Sequence, residues 1–107
     1  MVKKYLIICL RHNYWERYEN VFFWGKNRSG YECDLSKVGL YTKEEAIEIC
    51  NYGDCYISID KLGITENMLN FKNDNVIMSV KKTKVICDYV NAFKKIMENK
   101  SFMKYGY

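Results

Sequence analysis

The residues most capable of chemistry in this 107-residue chain are five cysteines, at positions 9, 33, 50, 55 and 87, and a single histidine, His12. A nucleophilic thiol needs a base beside it, and His12 is the one imidazole available. Cys9 and His12 are three residues apart, which on an extended strand sets them on opposite faces, so a dyad would need Cys33 or Cys87 brought to His12 by the fold. No Cys-x-x-Cys pair is present, and one histidine with scattered thiols does not make the four-ligand set of a zinc site. Gly25 and Gly30 have the spacing of a phosphate loop, but Tyr31 stands where its lysine would reach the phosphates. No metal and no cofactor is therefore expected, and the acidic residues fall at turns and helix starts, where capping accounts for them.

Segments with strand and helix signals position these groups. Tyr5 to Leu10 is a continuous apolar run that reads as a central strand buried on both faces. Arg11 to Asn20, with Tyr14, Trp15 and Tyr18 embedded, lacks periodicity and reads as a long connection. Asn20 to Gly25 and Tyr31 to Asp34 flank a glycine-bounded turn, which predicts a hairpin. Thr42 and Glu45 form a capping box with Tyr41 and Ala46 as hydrophobic staple, predicting a helix to about Tyr52 that ends at Gly53 and buries Ala46, Ile49 and Cys50. Cys55 to Ile59 reads as a strand, a helical turn follows Thr65, and Val76 to Val80 reads as a last strand. Val85, Ile86, Tyr89, Val90, Phe93, Ile96 and Met97 fall within an arc of about 140° at helical spacing, predicting an amphipathic helix and, beyond about Lys100, a frayed tail. The pattern gives one α+β domain, a small antiparallel or mixed sheet with two main helices packed on one face.

Length and composition bound the function classes. A chain of 12.8 kDa with 49% hydrophobic and 28% charged residues holds one modest core, which excludes multidomain enzymes and full dinucleotide-binding folds. The opening Met-Val-Lys-Lys precedes only a short apolar run, so the expectation is a cytoplasmic protein with free thiols and no membrane segment. Seventeen aromatics are more than so small a core hides, and some must reach the surface. Net charge is +1 over residues 1–53, −2 over 54–80 and +5 over 81–107, so the basic excess lies at the C-terminal end. Lys81, Lys82, Lys84, Lys94 and Lys95 are the candidate contacts to a nucleic-acid backbone there, against the plainer reading of a solvated helix face.

Phe23-Trp24-Gly25-Lys26-Asn27-Arg28-Ser29-Gly30-Tyr31, followed by Asp34-Leu35, Val38-Gly39, Tyr41-Thr42 and Glu44-Glu45-Ala46, resembles a group of small phage and prophage proteins. Those have a Trp strand, a turn ending in Gly-Tyr, an Asp, an Ala-Gly-x-Tyr and a Glu-Glu-Ala helix start. Val38 replaces the usual alanine, and Gly25 stands where an arginine is common. The resemblance implies a phage or mobile-element accessory protein acting inside a bacterial cell. By analogy of class, such a protein binds and inhibits a host protein or nucleoprotein complex, including defence systems such as a CRISPR nuclease. On this reading the chain is not an enzyme, and Trp15, Trp24 and Tyr31 are interface anchors with Lys26, Asn27 and Arg28 at the hairpin tip, where Arg28 has no visible structural duty. A nucleic-acid-binding accessory protein using the C-terminal lysines is the alternative. A small enzyme or nucleotide-sequestering protein with His12 or Cys33 in a pocket is the third reading.

Overall fold

The computed structural model describes residues 2–50 and 53–104, and within them the chain forms the expected α+β domain. Strands β1 (Tyr5–Ile8), β2 (Phe23–Trp24), β3 (Tyr31–Glu32) and β4 (Cys55–Ser58) make an antiparallel sheet in the order β3-β2-β1-β4. Helix α1 spans Tyr14–Arg17, α2 Lys43–Cys50, α3 Glu66–Leu69 and α4 Lys84–Lys104. The run read as a central strand is central: Leu6, Ile7 and Ile8 are fully buried.

Alternation along β1 divides the core in two. Leu6 and Ile8 join Phe23, Cys55 and Ile57 on one side of the sheet, together with Ile86 and Val90 of α4. Ile7 joins Tyr41 and the Ala46, Ile49 and Cys50 face of α2 on the other. The two main helices thus do not share a face as the pattern had suggested. Both Leu6 and Ile7 carry apolar side chains, so each side of the central strand needs its own cover. Phe93 touches both cores, and its ring meets that of Tyr56 edge-on at 5.0 Å, so α4 also runs along the outer side of β4.

The capping box forms as read. Glu45 N–H donates to Thr42 Oγ1 at 3.2 Å, and Thr42 N–H to Glu45 Oε1 at 2.9 Å. The expected end of α2 at Tyr52 lies outside the described residues. Thr65 caps α3, its hydroxyl accepting from Met68 N–H at 3.3 Å. Helix α4 is followed to Lys104, and the rest of the expected tail lies outside the described residues. Its apolar stripe is only partly used, since Val85 is 76% and Ile96 55% exposed.

Two readings change. The connection after β1 contains the short helix α1, entered through His12 and Asn13 at φ 62° and 61°. Val76 to Val80 is not a strand. Its carbonyls accept from two different segments, Met78 from Leu35 N–H at 2.9 Å and Val80 from Val21 N–H at 2.8 Å, so no single neighbour offers a repeating ladder. The hairpin is present, with a 3-10 turn at Lys26–Arg28. A Cβ at Gly25 would collide with the Ser29 carbonyl, so this turn admits only glycine at that place.

Candidate protein-binding site

The site is built on one buried carboxylate. Asp54 opens β4, and its side chain is wholly buried. It accepts from Leu10 N–H at 3.0 Å, from Arg11 Nη2 at 2.8 Å and from Trp24 Nε1 at 2.9 Å, which ties the ends of β1, β2 and β4 together. A buried charge is tolerated when it is paired and its lone pairs are filled, and all three donors do that here. The hydrogen bond to Asp54 in turn raises the pKa of the Arg11 guanidinium above its ordinary value. Arg11 lies 5.7 Å from the centre of the Trp24 ring and is partly open to solvent, while its Nε is buried with no partner among the described residues.

Directly after Arg11 the chain reverses. Left-handed backbone at two successive non-glycine residues costs roughly 1 kcal/mol or more each, and His and Asn are among the side chains that tolerate it best. The reversal brings α1 over the sheet surface, where Tyr14 meets Phe22 at 4.9 Å and Tyr31 at 5.6 Å, the latter nearly perpendicular. Tyr31 also meets Trp24 edge-on at 6.0 Å and His12 at 5.3 Å, and Tyr18 rests on Phe22 at 5.2 Å. Phe22 and Trp24 alternate with the core residues Val21 and Phe23, so this aromatic layer occupies the α2 side of the sheet over β2 and β3. None of the layer's rings is fully buried, and Tyr18 is 43% exposed. Partial burial pushes the Tyr31 hydroxyl pKa above its ordinary value.

The residues expected at the interface separate. Trp24 and Tyr31 belong to the aromatic layer. Trp15 packs instead against the core of the opposite side, with Lys82 Nζ 5.2 Å from its ring centre and donating to its carbonyl at 2.6 Å. Arg28 does have structural duties: its N–H donates to the Tyr41 hydroxyl at 3.0 Å and its Nη1 reaches Glu48 of α2 at 3.4 Å. The Tyr41 hydroxyl donates onward to the Gly25 carbonyl, so the hairpin tip is pinned to α2. Lys26 and Asn27 are exposed at that tip.

Two of the five candidate lysines make contacts within the chain. Lys82 is engaged with Trp15 and Lys84 with Asp88 at 2.8 Å. Lys81, Lys94 and Lys95 are exposed, but ten helical positions separate Lys84 from Lys94, about 15 Å at 1.5 Å per residue. Burial disfavours the thiolate form at four of the five cysteines. Burial pushes Cys9 up to about 11 and Cys55 up to about 12, raises Cys50 further, and raises Cys33 as well.

Sequence reasoning missed Arg11 and Asp54 as partners and did not single out His12, Tyr14, Tyr18 and Phe22 as neighbours. The available signal was weak: an aspartate placed between a helix-ending glycine and a buried strand, Gly53-Asp54-Cys55, where burial of a charge would demand donors. Comparison of the chain with protein-family models, curated proteins and solved structures returned no match in any of the three.

Proposed function

We propose that the chain is a non-catalytic protein-binding module that docks its aromatic layer, centred on Tyr14, Trp24 and Tyr31, onto a partner protein. The observation that carries this is the half-open layer itself: Trp24 anchored by the buried Asp54, with Tyr31 edge to face on it and Tyr14 edge to face on Tyr31 over β2 and β3, where α2 covers only the rest of that side. Rigid aromatics that lose little rotamer freedom on contact are the usual centre of protein interfaces, and Arg11 beside them supplies the accompanying guanidinium. The resemblance around the hairpin supports a bacterial setting, with a host protein or nucleoprotein complex, such as a defence nuclease, as the partner to be bound and inhibited.

The test is affinity capture from a bacterial lysate with the intact chain and with a Tyr14→Ala/Tyr31→Ala variant, each with and without nuclease. The reading expects a protein that survives nuclease and is lost with the variant. Capture unaffected by the two substitutions would overturn it. Capture abolished by nuclease would transfer the role to nucleic acid and to the exposed Lys81, Lys94 and Lys95.

A further inference from the structure

The sheet has two edges, and they are treated differently. Along β4 the Tyr89 hydroxyl donates to the Tyr56 carbonyl at 2.7 Å and Phe93 packs on the Tyr56 ring, so α4 closes that edge. Among the described residues no strand lies beyond β3. The hydrogen-bond phase of the hairpin shows what β3 offers there. Gly25 N–H donates to the Gly30 carbonyl at 2.8 Å, making Gly25 and Gly30 a hydrogen-bonded pair. Such pairs alternate with non-bonded ones along an antiparallel ladder, so Trp24–Tyr31 is non-bonded and Phe23–Glu32 bonded. The peptide groups of Trp24 must then point away from β3, and its carbonyl does so, accepting from Gly39 N–H at 2.9 Å. By the same geometry the N–H and carbonyl of Tyr31 point out of the open edge, as does the N–H of Cys33, whose peptide plane is set by the Glu32 carbonyl facing β2; beyond Glu32 the chain bends.

Side chains flank this edge on both faces. Tyr31 lies in the aromatic layer with Tyr14. Glu32, on the opposite face, lines an open cleft of about 1020 Å³ whose wall includes Phe71, Val76 and Ile77 and, further around it, Lys26, Lys37 and Lys72 with Asp34 and Asp74. Val76 and Ile77 are 57% and 50% exposed. Glu32 has no ion-pair partner among the described residues.

Building on the protein-partner reading above, we infer that the open edge of β3 takes an extended strand of the partner. That strand hydrogen-bonds to the outward groups of Tyr31 and Cys33, lays apolar side chains on Tyr14 and Tyr31, and sets a basic residue opposite Glu32. A row of outward peptide groups is complementary to another extended backbone, and pockets on alternate faces then select side chains. A second copy of this chain is the wrong occupant. Self-pairing about a two-fold axis that uses both Tyr31 and Cys33 sets Glu32 directly against Glu32, and like charges directly opposite destabilise a strand pair.

A displayed library of random linear peptides, selected separately on the full immobilised chain and on a Glu32→Lys variant, tests this. The native chain should enrich β-branched and aromatic peptides with Lys or Arg at one fixed position. Those peptides should lose about fivefold in affinity to the variant, which should select Asp or Glu at that position instead. Hydrogen exchange at the Tyr31 and Cys33 amides should slow on binding. Identical selections from both chains, binding without slowed exchange at those amides, or no enrichment at all would each overturn the strand-addition proposal. A partner whose capture falls with Tyr14→Ala but ignores Glu32→Lys would leave the aromatic-layer reading standing while removing this one. Capture that ignores both would remove both.

Discussion

Asp54 and Trp24 stand 30 residues apart in the chain and are joined by a 2.9 Å hydrogen bond from the indole to a fully buried carboxylate. The same carboxylate holds Arg11, so one side chain sets the orientation of two residues of the candidate binding surface. Removing it leaves a guanidinium and an indole N–H without their acceptor. Breaking one partner out of a buried pair costs about 3–5 kcal/mol, and the partial exposure of Arg11 places this case at the low end. Asp54→Ala should therefore lose about 3 kcal/mol in chemical denaturation. Its tryptophan emission should shift to the red as Trp24 loosens. Asp54→Asn, which keeps an acceptor for the indole, should lose less.

The thiols should divide by burial. Cys9, Cys50 and Cys55 are buried with raised pKa values, whereas Cys33 and Cys87 are half-exposed. A disulfide reagent at neutral pH should label Cys33 and Cys87 in the native protein and the other three only after unfolding, as peptide mass spectrometry would show. Alkali should expose the same asymmetry. Cys9 rises from 9.0 to about 11 on folding, so its contribution to stability is complete below pH 9 and lost as pH climbs from 9 towards 11. Cys9→Ala should flatten that part of the stability profile. An unchanged slope would remove Cys9 as its source.

Local signals in the sequence carried over to the structure, and relations between distant residues did not. Thr42 and Glu45 announce a helix start because both hydrogen bonds close within four residues. The long period of α4 is likewise readable, although it could not show that Val85 and Ile96 would find nothing to pack against. Val76 to Val80 has the composition of a strand, yet a ladder needs a neighbour that repeats, and Leu35 and Val21 lie on separate segments. Asp54 and Arg11 are 43 residues apart, and no local pattern links them. Helix α1 is a single turn, too short to show a period, so the aromatic layer it completes was invisible until the fold brought Tyr14 to Tyr31.

The capping box at α2 gives an acid-side prediction of opposite sign. The Thr42 N–H donated to Glu45, with further help from the Thr42 hydroxyl, lowers the Glu45 pKa below the usual carboxylate value, and the Ser36 N–H does the same for Asp34. A carboxylate whose pKa falls on folding contributes stability above its unfolded value, about 4.3 for Glu, and loses it as pH drops through the folded value. Stability of the native protein should thus decline below about pH 4 more steeply than that of Glu45→Gln, whose amide cannot titrate. Thr42→Ala should cost about 1 kcal/mol at neutral pH and less below about pH 4, where the Glu45 carboxylate that the hydroxyl assists is protonated.

Three single substitutions should separate folding from binding. Trp15 packs on the core with Lys82 against its ring, so Trp15→Ala should lose stability by about 3 kcal/mol, within the range for large aromatic truncations, and should leave the aromatic layer in place. Arg28 makes an exposed ion pair with Glu48, and such pairs contribute under about 1 kcal/mol, so Arg28→Ala should change thermal stability little. Tyr14 stands half-exposed on a one-turn helix, and Tyr14→Ala should destabilise less than Trp15→Ala while removing a central ring of the proposed interface. Measured side by side by denaturation and by capture of the partner, Tyr14→Ala should show the larger binding defect and Trp15→Ala the larger stability defect. The reverse pairing would move the interface to the α4 side of the sheet, where Trp15 and Lys82 lie.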